Sequence, residues 1–164
     1  MKIAKIIILQ IFWYVSISYG DHLLIPLVGV GLYFLDFFIF KKQESLRTRY
    51  LFFSLVLILS GFGMDKFFEA FEVLTWGDRF YPTELIGVWV IFPCYYYQFF
   101  KKFSSPIWPS FLMGAIFGPL AYFSGANINP KLILDFSPTG LGLVSLFWGL
   151  FFLLSIFFHS RGEG

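Results

Sequence analysis

Residues 50–72 read YLFFSLVLILSGFGMDKFFEAFE, and this stretch decides the fold class of the chain. It carries no charged residue from Tyr50 to Met64, and beyond that point its aromatic residues keep a helical spacing. An apolar helix of this length matches a bilayer whose hydrocarbon core is about 30 Å thick. The stretch therefore predicts a membrane-spanning helix with acidic residues near one end.

The rest of the chain repeats this pattern, because short charged clusters alternate with long apolar runs. Of the 164 residues, 58% are apolar and 13% are charged, so one soluble core cannot bury them all. We predict an all-α polytopic membrane helix bundle of about six transmembrane helices, forming a single integral membrane domain over residues 1–164. The predicted spans cover residues 3–19, 23–40, 50–71, 84–100, 107–124 and 141–158.

The first span has two interpretations. Lys2 and Lys5 precede an apolar centre and Ser18 follows it, which is also the pattern of a secretory signal peptide. Trp13 instead favours a retained helix with an aromatic anchor at the membrane interface. Cleavage would leave five spans and the same side for the C-terminus.

The distribution of basic residues predicts the orientation, since Lys and Arg are retained on the cytoplasmic side. With six spans, nine basic residues fall on one side and three on the other, so we expect both termini in the cytoplasm. The nine are Lys2, Lys5, Lys41, Lys42, Arg47, Arg49, Lys101, Lys102 and Arg161, and the three are Lys66, Arg79 and Lys131.

Charge and composition limit the partners. The formal net charge of +2 and the scattered basic residues argue against nucleic acid, and membrane lipids are the expected surroundings. Cys94 is the single cysteine, which excludes an intramolecular disulfide. His22 and His159 fall on opposite sides of the predicted bundle, so they cannot share a metal. We expect neither a metal nor a cofactor.

Acidic residues inside the apolar runs are the candidates for chemistry, because an intramembrane carboxylate is costly unless it is paired, neutral or hydrated. Asp36 lies about 7 Å from the basic end of its span, where it either pairs with Lys41 or Arg47 or marks a polar path. Asp65, Glu69 and Glu72 follow the i, i+4, i+7 spacing of one helical face.

These three acids repel one another if all are charged, so Lys66, Arg79 or another helix supplies a partner, or one carboxyl group stays neutral. Such a cluster suits a general acid, a cation site or a proton relay, with Asp36 and Asp65 as candidates for an ion or proton path. The alternative is a solvated helix end on the translocated side.

Small residues on the fifth span predict a helix contact of the small-xxx-small type. They pack either against another helix of the same chain or against a second copy in a homo-oligomer. Pro119 opens the backbone hydrogen-bond ladder there. The stripe comprises Gly114, Gly118, Ala121 and Gly125.

Residues 114–126, GAIFGPLAYFSGA, resemble the signature of a small proteobacterial inner-membrane family, domain of unknown function 2878. The resemblance implies a multi-pass protein of the bacterial inner membrane with no established activity, in a family associated with genes for fatty-acyl lipid modification. Where that family usually has Pro-x-Trp before its fourth span, this chain has Pro82-Thr83-Glu84. Further agreement is at Gln10, Trp13, Gly63, Asp65 and Trp89.

Three functions follow from the sequence as hypotheses. Short loops leave no room for a separate active domain, which favours an accessory factor in lipid or envelope metabolism. The second hypothesis is an intramembrane lipid-modifying enzyme that uses Asp65 and Glu69 as acid and base. The third is a small transporter or channel with Asp36 and Asp65 on a polar path.

Overall fold

The computed structural model describes residues 2–19, 22–40, 44–99 and 107–160, and within these ranges it contains six α-helices and two short β-strands. The helices lie on the six predicted apolar segments. They are α1 (Lys2–Tyr19), α2 (Leu24–Phe40), α3 (Glu44–Ala70), α4 (Thr83–Phe99), α5 (Ile107–Ile128) and α6 (Pro138–Ser160), and the strands are β1 (Leu74–Thr75) and β2 (Ile133–Leu134).

Three helices in the described part of the chain are long and apolar enough to cross a membrane. Their apolar stretches are Tyr50–Ala70 in α3, Trp108–Ile128 in α5 and Pro138–Ser155 in α6. The described apolar stretches of α1, α2 and α4 are shorter, at Ile7–Tyr19, Leu24–Phe38 and Thr83–Cys94.

The connection between the last two helices is shorter than the predicted spans imply, since those spans left residues 125–140 between them. α5 continues to Ile128, because small and polar residues at a helix end do not by themselves stop a helix. α6 begins at Pro138, whose ring suits the first helical position. The Ser137 hydroxyl caps this helix by accepting a hydrogen bond from the Gly140 amide at 3.0 Å.

The described chain divides into two compact units. The first comprises Met1–Leu59 with Phe80–Phe99, and the second comprises Ser60–Arg79 with Phe100–Gly164.

In the first unit, α1 packs on α2 and α4 at positions where glycine allows a close approach. A Cβ atom at Gly29 would lie 2.8 Å from the Phe12 ring, and one at Gly87 would lie 2.7 Å from the Ser16 hydroxyl. That hydroxyl donates a hydrogen bond of 2.9 Å to the Glu84 carbonyl of α4. Small residues therefore bring the helix backbones together and allow a polar contact between them. The core cluster consists of Leu9, Phe12, Tyr33, Phe37, Tyr50, Ile91 and Cys94.

The second unit has a two-stranded antiparallel ribbon that joins the segment after α3 to the segment after α5. Leu74 pairs with Leu134, and Thr75 pairs with Ile133. The Asp135 amide extends the pairing by donating to the Val73 carbonyl at 2.8 Å. Because the ribbon follows both helices directly, the C-terminal ends of α3 and α5 lie at the same end of this unit.

Candidate functional site

The carboxyl group of Asp65 is enclosed within the second unit. Its side chain is 0% exposed, and it accepts a hydrogen bond from the Tyr122 hydroxyl of α5. Phe68, one turn further along α3, meets the Tyr122 ring edge-to-face with ring centroids 5.8 Å apart. Trp148 of α6 also approaches Tyr122, with centroids 6.1 Å apart. Three helices thus surround an acid–phenol pair with aromatic rings.

The depth of this pair makes it a candidate site. Asp65 lies within the apolar stretch Tyr50–Ala70, about 7.5 Å of helix rise before its end. An ionisable side chain inside such a stretch is expensive to bury, so its presence favours a specific role.

Lys66 and Glu69 form an ion pair nearer the surface. The Lys66 Nζ atom lies 2.6 Å from the Glu69 Oε2 atom, and both side chains are partly exposed. The same Nζ atom lies 5.3 Å from the centre of the buried Trp76 ring, within cation–π range. Two of the partners predicted from the sequence are therefore present: Lys66 pairs with Glu69, and a residue of another helix bonds to Asp65.

The prediction that Glu72 shares the helical face of Asp65 and Glu69 is wrong. α3 ends at Ala70, and Glu72 has a φ of 57°, in the left-handed region. The Val73 amide donates to the Phe68 carbonyl at 2.8 Å, and the Glu72 amide donates to the Glu69 carbonyl at 3.0 Å. These two bonds form a Schellman motif, which terminates the helix and turns Glu72 out of its periodicity. A sequence pattern misses this end because glycine usually holds that position.

Asp36 is the acid of a second cluster, in the first unit. Its side chain is 5% exposed and accepts a hydrogen bond of 3.1 Å from the Tyr50 hydroxyl. That hydroxyl also lies 3.6 Å from the Cys94 sulfur, and the Tyr33 ring stacks on Tyr50 with centroids 5.8 Å apart. The predicted partners, Lys41 and Arg47, have side chains outside the part that the structure describes. A phenol on the next helix is thus a partner of Asp36.

Glycines of the small-residue stripe on α5 lie against α6 of the same chain. A Cβ atom at Gly114 would lie 2.9 Å from the Trp148 carbonyl carbon, and one at Gly118 would overlap the Trp148 side chain. Pro119 lies inside α5, while Ala121 is half-buried and Gly125 is buried. A homo-oligomer through this stripe stays a prediction.

Several residues of the two clusters are not singled out by the sequence pattern. Tyr122 lies inside the quoted motif at residues 114–126, yet a tyrosine in an apolar run is as typical of an interface belt as of a buried donor. Tyr50 and Cys94 carry no spacing signal relative to Asp36.

Glu84, at the start of α4, is fully buried, although its position predicts a solvated helix end.

The chemistry open to each cluster is the binding or transfer of a proton, because a carboxyl group and a phenol can share one. A general acid or base must come within hydrogen-bond distance of the proton that it moves, and Asp65 is 0% exposed in this arrangement. Among the described residues, no three His, Cys, Asp or Glu side chains are placed to hold a metal ion.

Comparison with known proteins identifies the family of the chain. No curated protein and no solved structure shows significant similarity to it. A family model described as "Protein of unknown function (DUF2878)" matches residues 2–154, which is nearly the whole chain. The chain therefore belongs to the DUF2878 family, in agreement with the resemblance of residues 114–126.

Proposed function

We propose that the chain is a multi-pass protein of the bacterial inner membrane, with six crossing helices and both termini in the cytoplasm. Three long apolar helices and three shorter ones support this proposal. The excess of nine basic residues over three gives the orientation. The ribbon supports it too. In a six-span topology two crossings, α4 and α5, separate the end of α3 from the end of α5, so both ends fall on one side of the membrane. The ribbon holds these two ends at the same end of their unit.

Within this membrane, the proposed role is that of a non-catalytic accessory factor in lipid or envelope metabolism. The observation that carries the non-catalytic part is the enclosure of both intramembrane acids, since Asp36 and Asp65 are each buried against a tyrosine hydroxyl. Neither acid is open to a substrate, whereas an acid–base catalyst requires direct access. The link to lipid or envelope metabolism rests on the family resemblance.

The enzyme and transporter hypotheses are the alternatives to this proposal. An enzyme would need Asp65 and Glu69 to act on one lipid, yet Glu69 is bonded to Lys66 and Asp65 to Tyr122. A transporter would need Asp36 and Asp65 on one path, whereas each acid is buried against a tyrosine hydroxyl.

The test compares the lipids of a deletion strain that carries the wild-type gene, Asp65→Asn, Glu69→Gln or Asp36→Asn. Whole-cell lipids are measured by mass spectrometry, together with sensitivity to detergents that stress the envelope. We expect deletion to disturb the envelope or the amounts of its lipids. All three variants should restore the wild-type state when they accumulate to wild-type levels in the membrane.

Glu72→Gln is the matched control, because Glu72 is an exposed acid beyond the end of α3. A lipid species that disappears with Asp65→Asn and Glu69→Gln but not with the control would identify an enzyme. Failure of both Asp65→Asn and Asp36→Asn, with intact lipids, would favour the transporter. Either result contradicts the accessory role, provided that the failing variant is present at the wild-type level.

A further inference from the structure

The segment between α5 and α6 alternates between buried and exposed apolar residues. Leu132 and Leu134 point inward and are buried, whereas Ile133 is 62% exposed and Phe136 is 52% exposed. Over residues 132–134 this alternation is the period of an extended strand and turns Ile133 outward, and Phe136 is exposed two residues after the strand ends. Large apolar side chains on the outside of a connection between helices need an explanation.

The outward side of this segment continues the exposed apolar face of α5. The Phe136 ring meets the Phe123 ring edge-to-face, with centroids 5.5 Å apart. Phe123 shares one side of α5 with Leu120 and Ile116, all three exposed and spaced as neighbours on a helix. Because α5 contains a stretch long enough to cross a membrane, this face suits contact with lipid.

The polar groups near this segment are arranged as they are at a membrane interface. Lys131 is exposed and lies two residues before Ile133 in the chain, and lysines at membrane interfaces extend their ammonium groups toward the headgroups. Asp135 turns its carboxylate toward the start of α6 and accepts bonds from the Ser137 amide at 2.8 Å and the Ser137 hydroxyl at 2.6 Å. These bonds hold the pKa of Asp135 below its usual value. The negative charge is thus held at a helix N-terminus, where the helix dipole favours it.

We propose that the connection at residues 129–137 lies in the lipid interface of the bilayer, with Ile133 and Phe136 in contact with acyl chains and Lys131 at the level of the phosphates. Water is the unfavourable alternative, since exposed apolar surface costs about 25 cal/mol per Å². The proposal rests on the proposed membrane insertion of α5. It adds that the membrane boundary lies beyond the end of the helix and includes the ribbon strand β2.

The test places an environment-sensitive fluorophore, nitrobenzoxadiazole, at single cysteines in a Cys94→Ala background. The probed variants are Ile133→Cys and Phe136→Cys, with Leu120→Cys as the lipid reference and Asp78→Cys as the exposed loop reference. Each labelled protein is reconstituted into vesicles of phosphatidylethanolamine and phosphatidylglycerol. Quenching is measured with aqueous iodide and with lipids that carry a nitroxide either near the headgroup or deep in the acyl chain.

We expect the probes at Ile133 and Phe136 to be quenched most by the shallow nitroxide, and several-fold less by iodide than the probe at Asp78. The probe at Leu120 should respond to a nitroxide at greater depth. All four variants should keep the helical circular dichroism of the Cys94→Ala protein.

The two references separate failure of this inference from failure of the membrane proposal. Iodide quenching at Ile133 and Phe136 as strong as at Asp78, with lipid quenching retained at Leu120, would place the segment in water and overturn the inference alone. Strong iodide quenching at Leu120 would overturn the membrane insertion of α5 itself. Protection of Ile133 and Phe136 from both quenchers would show a protein partner or a second copy there, and would also overturn the lipid contact.

Discussion

At the residue scale, Asp36 and Asp65 have the same kind of hydrogen-bond partner, although they belong to different helices and different units. Each carboxyl group accepts a hydrogen bond from a tyrosine hydroxyl on another helix, Tyr50 for Asp36 and Tyr122 for Asp65. A phenol supplies a hydrogen-bond donor without bringing in a second charge. Both acids are buried, and a hydrogen bond in the protein interior is electrostatically stronger than one in water.

Removal of the Tyr122 hydroxyl should destabilise the protein. We expect Tyr122→Phe to lower the free energy of unfolding by about 1–3 kcal/mol, because a buried carboxyl group loses a donor while the ring packing is kept. Thermal unfolding in detergent, followed by circular dichroism, measures the change.

Tyr14→Phe is the matched control for this variant, because the Tyr14 side chain is exposed. It should leave the unfolding temperature unchanged. Equal unfolding temperatures for Tyr122→Phe and Tyr14→Phe would show that the Asp65–Tyr122 bond adds no stability.

At the scale of helices, α5 packs against α6, and glycine makes their close approach possible. Gly114 and Gly118 of α5 face Trp148, and Gly149 of α6 faces the Phe111 ring, where a Cβ atom would lie 2.5 Å from the nearest ring carbon. Each helix thus places a large ring over a glycine of the other. Dispersion contacts of this kind drive helix association in lipid, where the hydrophobic effect between helices is absent.

A methyl group at Gly118 should disturb this contact. We expect Gly118→Ala to destabilise the protein by about 1–3 kcal/mol, since the Trp148 ring has to move out of its packed position. Thermal unfolding in detergent measures the loss.

Gly142→Ala on α6 is the control, because a Cβ atom there meets no atom within 4 Å. It should be neutral or stabilising by up to about 1 kcal/mol, as alanine favours helix more than glycine does. Destabilisation of the same size in both variants would contradict the packing role of Gly118.

At the scale of the whole molecule, the distribution of basic residues predicts the orientation, and the ribbon offers an independent comparison with it. Lys66, Arg79 and Lys131 all lie in the segments near the ribbon end of the second unit, either side of β1 and β2. These are the three basic residues predicted on the translocated side, so the pairing of β1 with β2 agrees with the count of basic residues.

Reporter fusions along the chain should show this orientation. Alkaline phosphatase is active in the periplasm and green fluorescent protein fluoresces in the cytoplasm, so paired fusions give opposite signals. We expect cytoplasmic signals at Gln43 and Lys101, and periplasmic signals at Asp78 and Asn129. A periplasmic signal at Lys101 would contradict the six-span topology.

The sequence by itself determined the helices of this protein, whereas the tertiary structure decided what its acids contact. Long apolar runs between charged clusters indicate six helices, because the length and composition of each run can be read from the sequence without knowledge of its neighbours. The residues at 114–126 also indicated the family. Helical periodicity gives the face on which Asp65 lies, but its partner Tyr122 is 57 positions away, and only packing brings the two together. The Schellman end at Glu72 and the two-residue strands likewise depend on backbone bonds that no local pattern encodes.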